Sequence, residues 1–294
     1  MSHGILNVLK PPGMTSHDVV SFVRRAYGLK RVGHAGTLDP AAAGVLPVFL
    51  GHATRLIEYQ ADADKSYRAE LTFGFTTDTG DDTGEILETK PFIMPCIETI
   101  KECLASFTGE IMQVPPMYSA IKVGGKKLYE LARAGVTIDR QPRAVTIHAM
   151  SLVSVSGETI LFDVTCSKGT YIRTLCMDIG QRLGIPAVMS FLVRTRVGGF
   201  QLSASHSLEE IAAGPAHLLL SPETAVSHLT VLELNQLESL AFRHGRSIPW
   251  VSQEEWDNRL IRVYDNTGDF IGIAACKANA ITPIKVFHPE LRKT

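Results

Sequence analysis

Residues 66–75, SYRAELTFGF, alternate without a break. Tyr67, Ala69, Leu71, Phe73 and Phe75 fall on one face, and Arg68, Glu70 and Thr72 on the other. TILFDVTCS, residues 159–167, repeats the pattern with Ile160, Phe162, Val164 and Cys166 together. Alternation sustained this long describes strands that bury one face, and such strands must pair with neighbours. Around them the period becomes helical. TSHDVVSFVRRAYG starts at a capping box of Thr15 and Asp18, sets Val19, Phe22, Val23 and Ala26 on one side, and stops at Gly28. Ile97, Ile100, Leu104 and Phe107 mark a second helix. A third, TYIRTLCMDIGQRLG, carries an apolar stripe of Ile172, Leu175, Cys176, Ile179 and Leu183 and ends at Gly184 and Pro186. Arg173 lies in its first turn, off the stripe. Half-buried strands mixed with amphipathic helices predict an α+β fold.

Residues 203–227 read as a helical connector. Beyond His228 the chain turns to short strands, LTVLEL, NRLIRVYD, DFIGIAAC and TPIKVF, with a turn at Asn266-Thr267-Gly268. Two domains are expected, 1–228 and a small β-rich module over 229–294. A hydrophobic fraction of 45% with 20% charged residues suits a packed core. No apolar run approaches the ~20 residues of a bilayer span, and MSHGILNVLKPPG lacks the form of a secretory signal. A cytoplasmic monomer without a membrane partner is expected.

Familiar cofactor chemistry finds no motif. VGGKKL fails as a phosphate loop, with Ala120 at the first glycine position and Lys127 where Ser or Thr is needed. DTGDDTGEILE fails as a calcium loop at Gly80 and reads as an acidic surface turn. Cys96, Cys103, Cys166, Cys176 and Cys276 include no C-x-x-C pair, and the histidines include no H-E-x-x-H. Reduced thiols and no metal or other cofactor are expected, so side chains would carry any reaction. The net charge of −1 argues against coating nucleic acid through bulk charge. A local basic stretch does exist: Lys122, Lys126, Lys127, Arg133, Arg140 and Arg143 stand against only Glu130 and Asp139.

The loop RVGHAGTLDPAAAGVLPVFLG, residues 31–51, is turn chemistry and apolar filler apart from Asp39. Asp-Pro opens turns, and Pro40 drives Asp39 towards an extended backbone. The glycines and alanines would let main chain lie close to a ligand. An ionised carboxylate there needs a counter-charge, and Arg173 is the candidate.

GHAGTLDPAAAGVLPV resembles the catalytic motif of the TruB family, the bacterial tRNA pseudouridine-55 synthases. KPPGMTSHDVV, DKSYRAELTFGFTTDTGDDTG, PPMYSAIKVGGKKLYELARAG, CSKGTYIRTLCMDIG and LVRTRVGGF resemble further family segments, in order, over roughly the first two hundred residues. One departure is Leu9, where members commonly carry Asp; it touches a local contact of the N-terminal motif rather than the chemistry. The resemblance implies a pseudouridine synthase fold, with a mixed, largely antiparallel sheet flanked by helices. It further implies an RNA-binding insertion at about 109–147 and a PUA-like domain over 229–294. It makes Asp39 the catalytic aspartate, Tyr67 the tyrosine that stacks on the target base and Arg173 the partner of Asp39. Leu192 would pack at the base pocket, and His34 would wedge into the RNA loop. Lys10, Lys65, Tyr171, Lys126 and Lys127 would bind substrate.

The implied partner is the T arm of tRNA, and the implied reaction converts uridine 55 to pseudouridine. That isomerisation needs no ATP, metal or redox cofactor. A carboxylate can act at the ribose anomeric carbon, as in retaining glycosidases, or at C6 of the base; both stay open. Removing the C5 proton needs a base, and the Tyr67 hydroxyl is placed for it. The alternatives are a tRNA-binding or folding factor, a synthase acting on another RNA, and a glycoside hydrolase. The last would want a second carboxylate beside Asp39, and the loop has none.

Overall fold

The structure, a computed structural model, describes residues 3–119, 121–250, 259–277 and 279–288. Parts of the expected second domain, 251–258 and 289–294, lie outside the described residues. Strand β1 (Gly4–Lys10), helix α1 (Ser16–Ala26) and β2 (Val32–His34) precede β3 (Ala43–Leu50). A 3-10 turn and α2 (Ile57–Ala61) lead to β4 (Lys65–Phe73) and a hairpin of β5 (Phe75–Thr77) and β6 (Ile86–Thr89). Next come α3 (Ile97–Ala105) and β7 (Gly109–Gln113), then an excursion holding β8 (Lys122–Val123), β9 (Lys126–Lys127) and α4 (Leu128–Arg133). Then follow β10 (Arg143–Ser156), β11 (Thr159–Cys166), α5 (Ile172–Leu183), β12 (Ala187–Val197) and β13 (Phe200–Gln201). Helix α6 (Leu208–Ala213) precedes a second unit, β14 (Thr230–Glu233), α7 (Gln236–Arg243), β15 (Ile248–Pro249), β16 (Leu260–Tyr264), β17 (Phe270–Lys277) and β18 (Ala280–Val286).

The large sheet runs β1-β3-β12-β4-β11-β10-β7, with β2 beside β3 and β13 beside β12. Its pairings are antiparallel except β3 with β12, which is parallel. This is the mixed, largely antiparallel sheet that the resemblance implied. The alternation is realised in β4 as far as Phe73 and in β11: Tyr67, Ala69, Leu71 and Phe73, and Ile160, Phe162, Val164 and Cys166, are buried, whereas Gly74 (φ +104°) breaks the strand and Phe75 begins β5, half-buried. The buried side chains pack with Ile100 and Leu104 of α3 and Leu175 and Ile179 of α5 in one core. Each buried Leu, Ile, Val or Phe among them contributes about 1.5–3 kcal/mol by leaving water. The Thr15–Asp18 capping box starts α1, and Gly184 ends α5 in a left-handed conformation.

The second sheet runs β14-β16-β17-β18-β15. It shares a core with the first unit: Ile273 and Phe287 cluster with Phe49, Ala53 and Leu56. Arg55 donates to the Val286 carbonyl at 2.6 Å and lies 5.2 Å from the centre of the Phe287 ring. Helix α7 went unread in the sequence, although Asn235 and Glu238 form the capping box that starts it. The short strands around it had set the expectation of an all-strand module.

The loop between β2 and β3 is tied down from behind. Ser16 Oγ accepts from the Leu38 amide at 2.9 Å and donates to the Leu38 carbonyl at 3.2 Å. The Gly13 amide donates to Pro40 O at 2.8 Å. Lys10 donates to the carbonyls of Pro11 (2.9 Å), Pro40 (3.1 Å) and Ala42 (2.6 Å). Lys10 is thus a buried anchor of the loop, not a solvent-facing group held out for substrate. Its ammonium has exchanged water for main-chain oxygens, so KPPGMTS serves to hold the loop. Burial pulls the Lys10 amine down to about 8, Asp39 opposes this, and Arg194 adds to it.

Two expectations follow for stability. Gly44 has φ +113°, and a Cβ there would sit 2.2 Å from the Arg194 carbonyl oxygen. Gly44→Ala should cost at least about 2 kcal/mol, from the forced left-handed backbone and the clash, read as a lowered urea midpoint. For Lys10 the folded amine releases its proton before the unfolded one. Between about pH 8 and 10.5 the unfolded chain binds more protons, so stability gains with rising pH. The wild type should therefore gain stability relative to Lys10→Met across that window. A constant difference would refute the assignment.

Candidate active site

Strands β4 and β12 lie side by side in antiparallel register, with Tyr67 opposite Arg194 and Ala69 opposite Leu192. Tyr67 and Leu192 are each 8% exposed and share a cluster with Leu38 and Ala42 of the loop. This makes an apolar floor with the loop at its edge. Asp39 stands on that loop, and the turn behind it is closed by the Ala42 amide donating to the Asp39 carbonyl at 3.1 Å.

Arg173 comes from the first turn of α5. Its Nε lies 2.9 Å from Asp39 Oδ2, with side chains 6% and 39% exposed respectively. Its other nitrogens donate to Thr79 O at 3.0 Å and Tyr118 O at 2.8 Å. Two directional bonds to carbonyls fix the guanidinium, and its charge holds one carboxylate oxygen beside Nε. A buried cation facing a half-open carboxylate is screened less than a surface pair. The rest of the Asp39 carboxyl remains open to a ligand. The pairing of Asp39 with Arg173 considered from sequence is therefore present.

The segment read as an acidic surface turn is partly a wall of this site. Asp81 is largely covered and lies 3.9 Å from Arg173 Nε. Asp81 Oδ1 accepts from the hydroxyls of Thr79 (2.8 Å) and Thr83 (2.6 Å). The turn docks on β12, with Met189 N donating to Gly80 O and Asp82 N to Met189 O, both at 3.1 Å. Local composition showed the charge but not the docking partner, which is more than a hundred residues away.

The other expected site residues fall in different places. Tyr171 caps α5, and its main chain is held by Gln113, whose amide donates to Tyr171 O (3.2 Å) and accepts from Tyr171 N (3.0 Å). Lys65, expected to meet substrate, turns inward instead and donates to Ala61 O (3.3 Å) and Ala63 O (2.5 Å). Burial, then Arg194, pull its amine below the usual range. His34 ends β2, half-buried, and burial followed by Arg194 lowers its imidazole, which favours the uncharged ring. Lys126 is exposed on the β8–β9 hairpin; the Lys127 side chain lies outside the described residues.

Arg194 was not anticipated. It is 1% exposed and donates to Val45 O (2.8 Å), Gly36 O (3.1 Å) and Thr37 O (3.3 Å). Strand alternation from Leu192 could have found it, because residues two apart share a face. Burial pushes the Tyr67 hydroxyl above its ordinary range, and the Arg194 cation across the ladder opposes that shift. Among the described residues no group of His, Cys, Asp or Glu could hold a metal ion. What the site offers is an aimed carboxylate over an aromatic and aliphatic floor, suited to a planar, uncharged group.

The comparisons agree with this architecture. The model of the TruB family pseudouridylate synthase N-terminal domain matches residues 24–172. The tRNA pseudouridylate synthase B C-terminal domain matches 173–226, and the pseudouridine synthase II TruB C-terminal model matches 230–287. The chain is 48% identical over 285 residues to a tRNA pseudouridine synthase B of Caldanaerobacter subterraneus subsp. tengcongensis, covering 97% of this chain and 99% of that one. It is 54% identical to that of Pelotomaculum thermopropionicum, covering 89% and 87%. A chain in the crystal structure of a Cbf5-Nop10-Gar1 complex superposes with a TM-score of 0.77 at 27% identity, covering 97% of this chain and 85% of that one. With family models and relatives covering nearly its whole length, the chain belongs to the TruB family of pseudouridylate synthases.

Proposed function

We propose that this protein converts uridine 55 in the T loop of tRNA to pseudouridine, with Asp39 as covalent catalyst. The observation that carries the reading is the 2.9 Å pair between Asp39 and the buried Arg173, set beside Tyr67 and Leu192. The names of the curated relatives add the substrate class, tRNA. A stacked base hides its glycosidic bond, so the nucleotide must leave the stack. Tyr67 offers the flipped uracil a ring face, and Leu192 packs beside it. His34 fills the place the base has left, and the burial that lowers its imidazole favours the uncharged ring such a slot suits. Asp39 then attacks the ribose anomeric carbon or C6 of the base, the ring turns, and C5 joins the ribose. Tyr67 takes the C5 proton.

The excursion between β7 and β10 carries Lys126, Lys127 and Arg140, with Arg143 at the start of β10, and would meet phosphates of the T arm. An RNA loop is recognised by shape, phosphates and splayed bases, which fits a chain whose bulk charge is near zero.

The reading is tested by mapping pseudouridine in total tRNA lacking the modification after incubation with the protein. A new mark confined to the T loop is expected; marks elsewhere, or none, would reject it. Asp39→Asn should lower turnover on a T-arm hairpin by on the order of 10⁴ or more while the RNA still binds. Substituting Lys126 and Lys127 with Gln should reduce the slope of log K against log salt by about 1–2. An unchanged slope would place the RNA on another face.

A further inference from the structure

We propose that Arg194 is a positioning residue for Tyr67: its guanidinium holds the phenolic oxygen in place and stabilises the phenolate that takes the C5 proton. The inference rests on the reading of Tyr67 as that base. Its grounds are geometric. Arg194 sits directly across the β4–β12 ladder from Tyr67, both side chains are buried, and the guanidinium is near enough to act on the phenol's ionisation. A guanidinium has five N–H donors. Three reach the carbonyls of Gly36, Thr37 and Val45, which leaves donors for the phenol oxygen. Among the described residues no carboxylate forms an ion pair with Arg194, whereas Asp39 has Arg173. A buried cation compensated only by carbonyl dipoles favours ionisation of the nearest acid, and the acid directly across the ladder from Arg194 is Tyr67. The site thus gives each of its two reacting side chains its own arginine.

The surrounding charges support the same division. Tyr67 is faced by Arg194 of β12, Cys166 of β11 and Asp39 of the loop. Arg194 is faced by Lys10 of β1, His34 of β2 and Lys65 of β4. The two lysines add positive potential and spend their donors on carbonyls. Asp39 opposes phenolate formation, and Arg173 offsets that opposition. In the step itself the C5–H bond breaks and its electrons restore the C5–C6 double bond. The proton goes to the Tyr67 phenolate oxygen, N1 of the turned base takes one proton from water, and the phenol returns its own to water, so the count of protons is unchanged. Nothing is oxidised or reduced, and the guanidinium keeps its own protons.

The test places 3-fluorotyrosine, a more acidic phenol, at position 67 in the parent protein and in Arg194→Gln and Arg194→Lys. Fluorine resonance then reads the ionisation midpoint of that residue without any turnover. The midpoint should rise in Arg194→Gln and rise less in Arg194→Lys; an equal midpoint in all three would overturn the proposal. On a T-arm hairpin, Arg194→Gln with tyrosine should lose about 10–100-fold in kcat, with KM changed less than about threefold. The fluorinated residue should recover part of that loss in Arg194→Gln and give a smaller gain in the parent. The same factor in both backgrounds would show that Arg194 acts only by bracing the loop. Full activity of Tyr67→Phe would instead reject the base reading itself, and the fluorine midpoints would still report whether Arg194 controls the phenol.

Discussion

Two steps of parallel pairing, Ala43 with Val193 and Gly44 with Arg194, join the first part of the large sheet to the rest. Everything at the site depends on that contact. It places the loop that carries Asp39 against the strand that carries Leu192 and Arg194, and β4 with Tyr67 lies on the other side of that strand. The approach is close enough that Gly44 admits no side chain, so a single glycine enables the contact. The sheet is otherwise antiparallel and could be built from hairpins and crossovers without bringing these groups together.

The charge economy of the site differs from that of the whole chain. The net charge of −1 is that of the whole chain and says nothing of where the charges lie. Inside, Lys10, Lys65, Arg173 and Arg194 are all buried, and main-chain carbonyls satisfy most of their donors. Carbonyl dipoles solvate a cation without neutralising it. The site therefore keeps a positive interior behind one half-exposed carboxylate and one buried phenol. That suits chemistry in which Asp39 must stay anionic and a second group must accept a proton. Rigidity comes from the same bonds, because each cation ties several loop carbonyls to the sheet.

Much of this was readable in advance. The alternation in 66–75 and 159–167 set the strands, because a face that meets a core must be apolar at every second position. The Thr15–Asp18 box, Gly184 and the stripe on α5 set helices by local chemistry alone. Asp39 stood out because a charge in an apolar, glycine-bearing loop is anomalous, and Arg173 because it left its stripe. Strands β1, β10 and β12 were not read. β1 is buried on both faces, β10 is largely exposed beyond Ile147, and β12 buries Arg194 and exposes Phe191; period-two logic weakens when both faces or neither meets a core, and when a buried position holds a cation. Lys10 and Lys65 were misjudged for the same reason: composition assigns a lysine to water, and only packed carbonyls can hold it inside.

The sequence by itself determined the class of fold, the strands with one apolar face, the capped helices, the family and the residue to suspect first. These are local, or they are carried by the order of motifs along the chain. Only the tertiary structure decided which cation serves which acid, that Asp81 belongs to the site wall, and that the N-terminal motif works by holding a loop. Those outcomes rest on contacts between residues tens to well over a hundred positions apart. Their energies depend on burial and on a few ångströms of separation, and neither is a property of any short stretch of sequence.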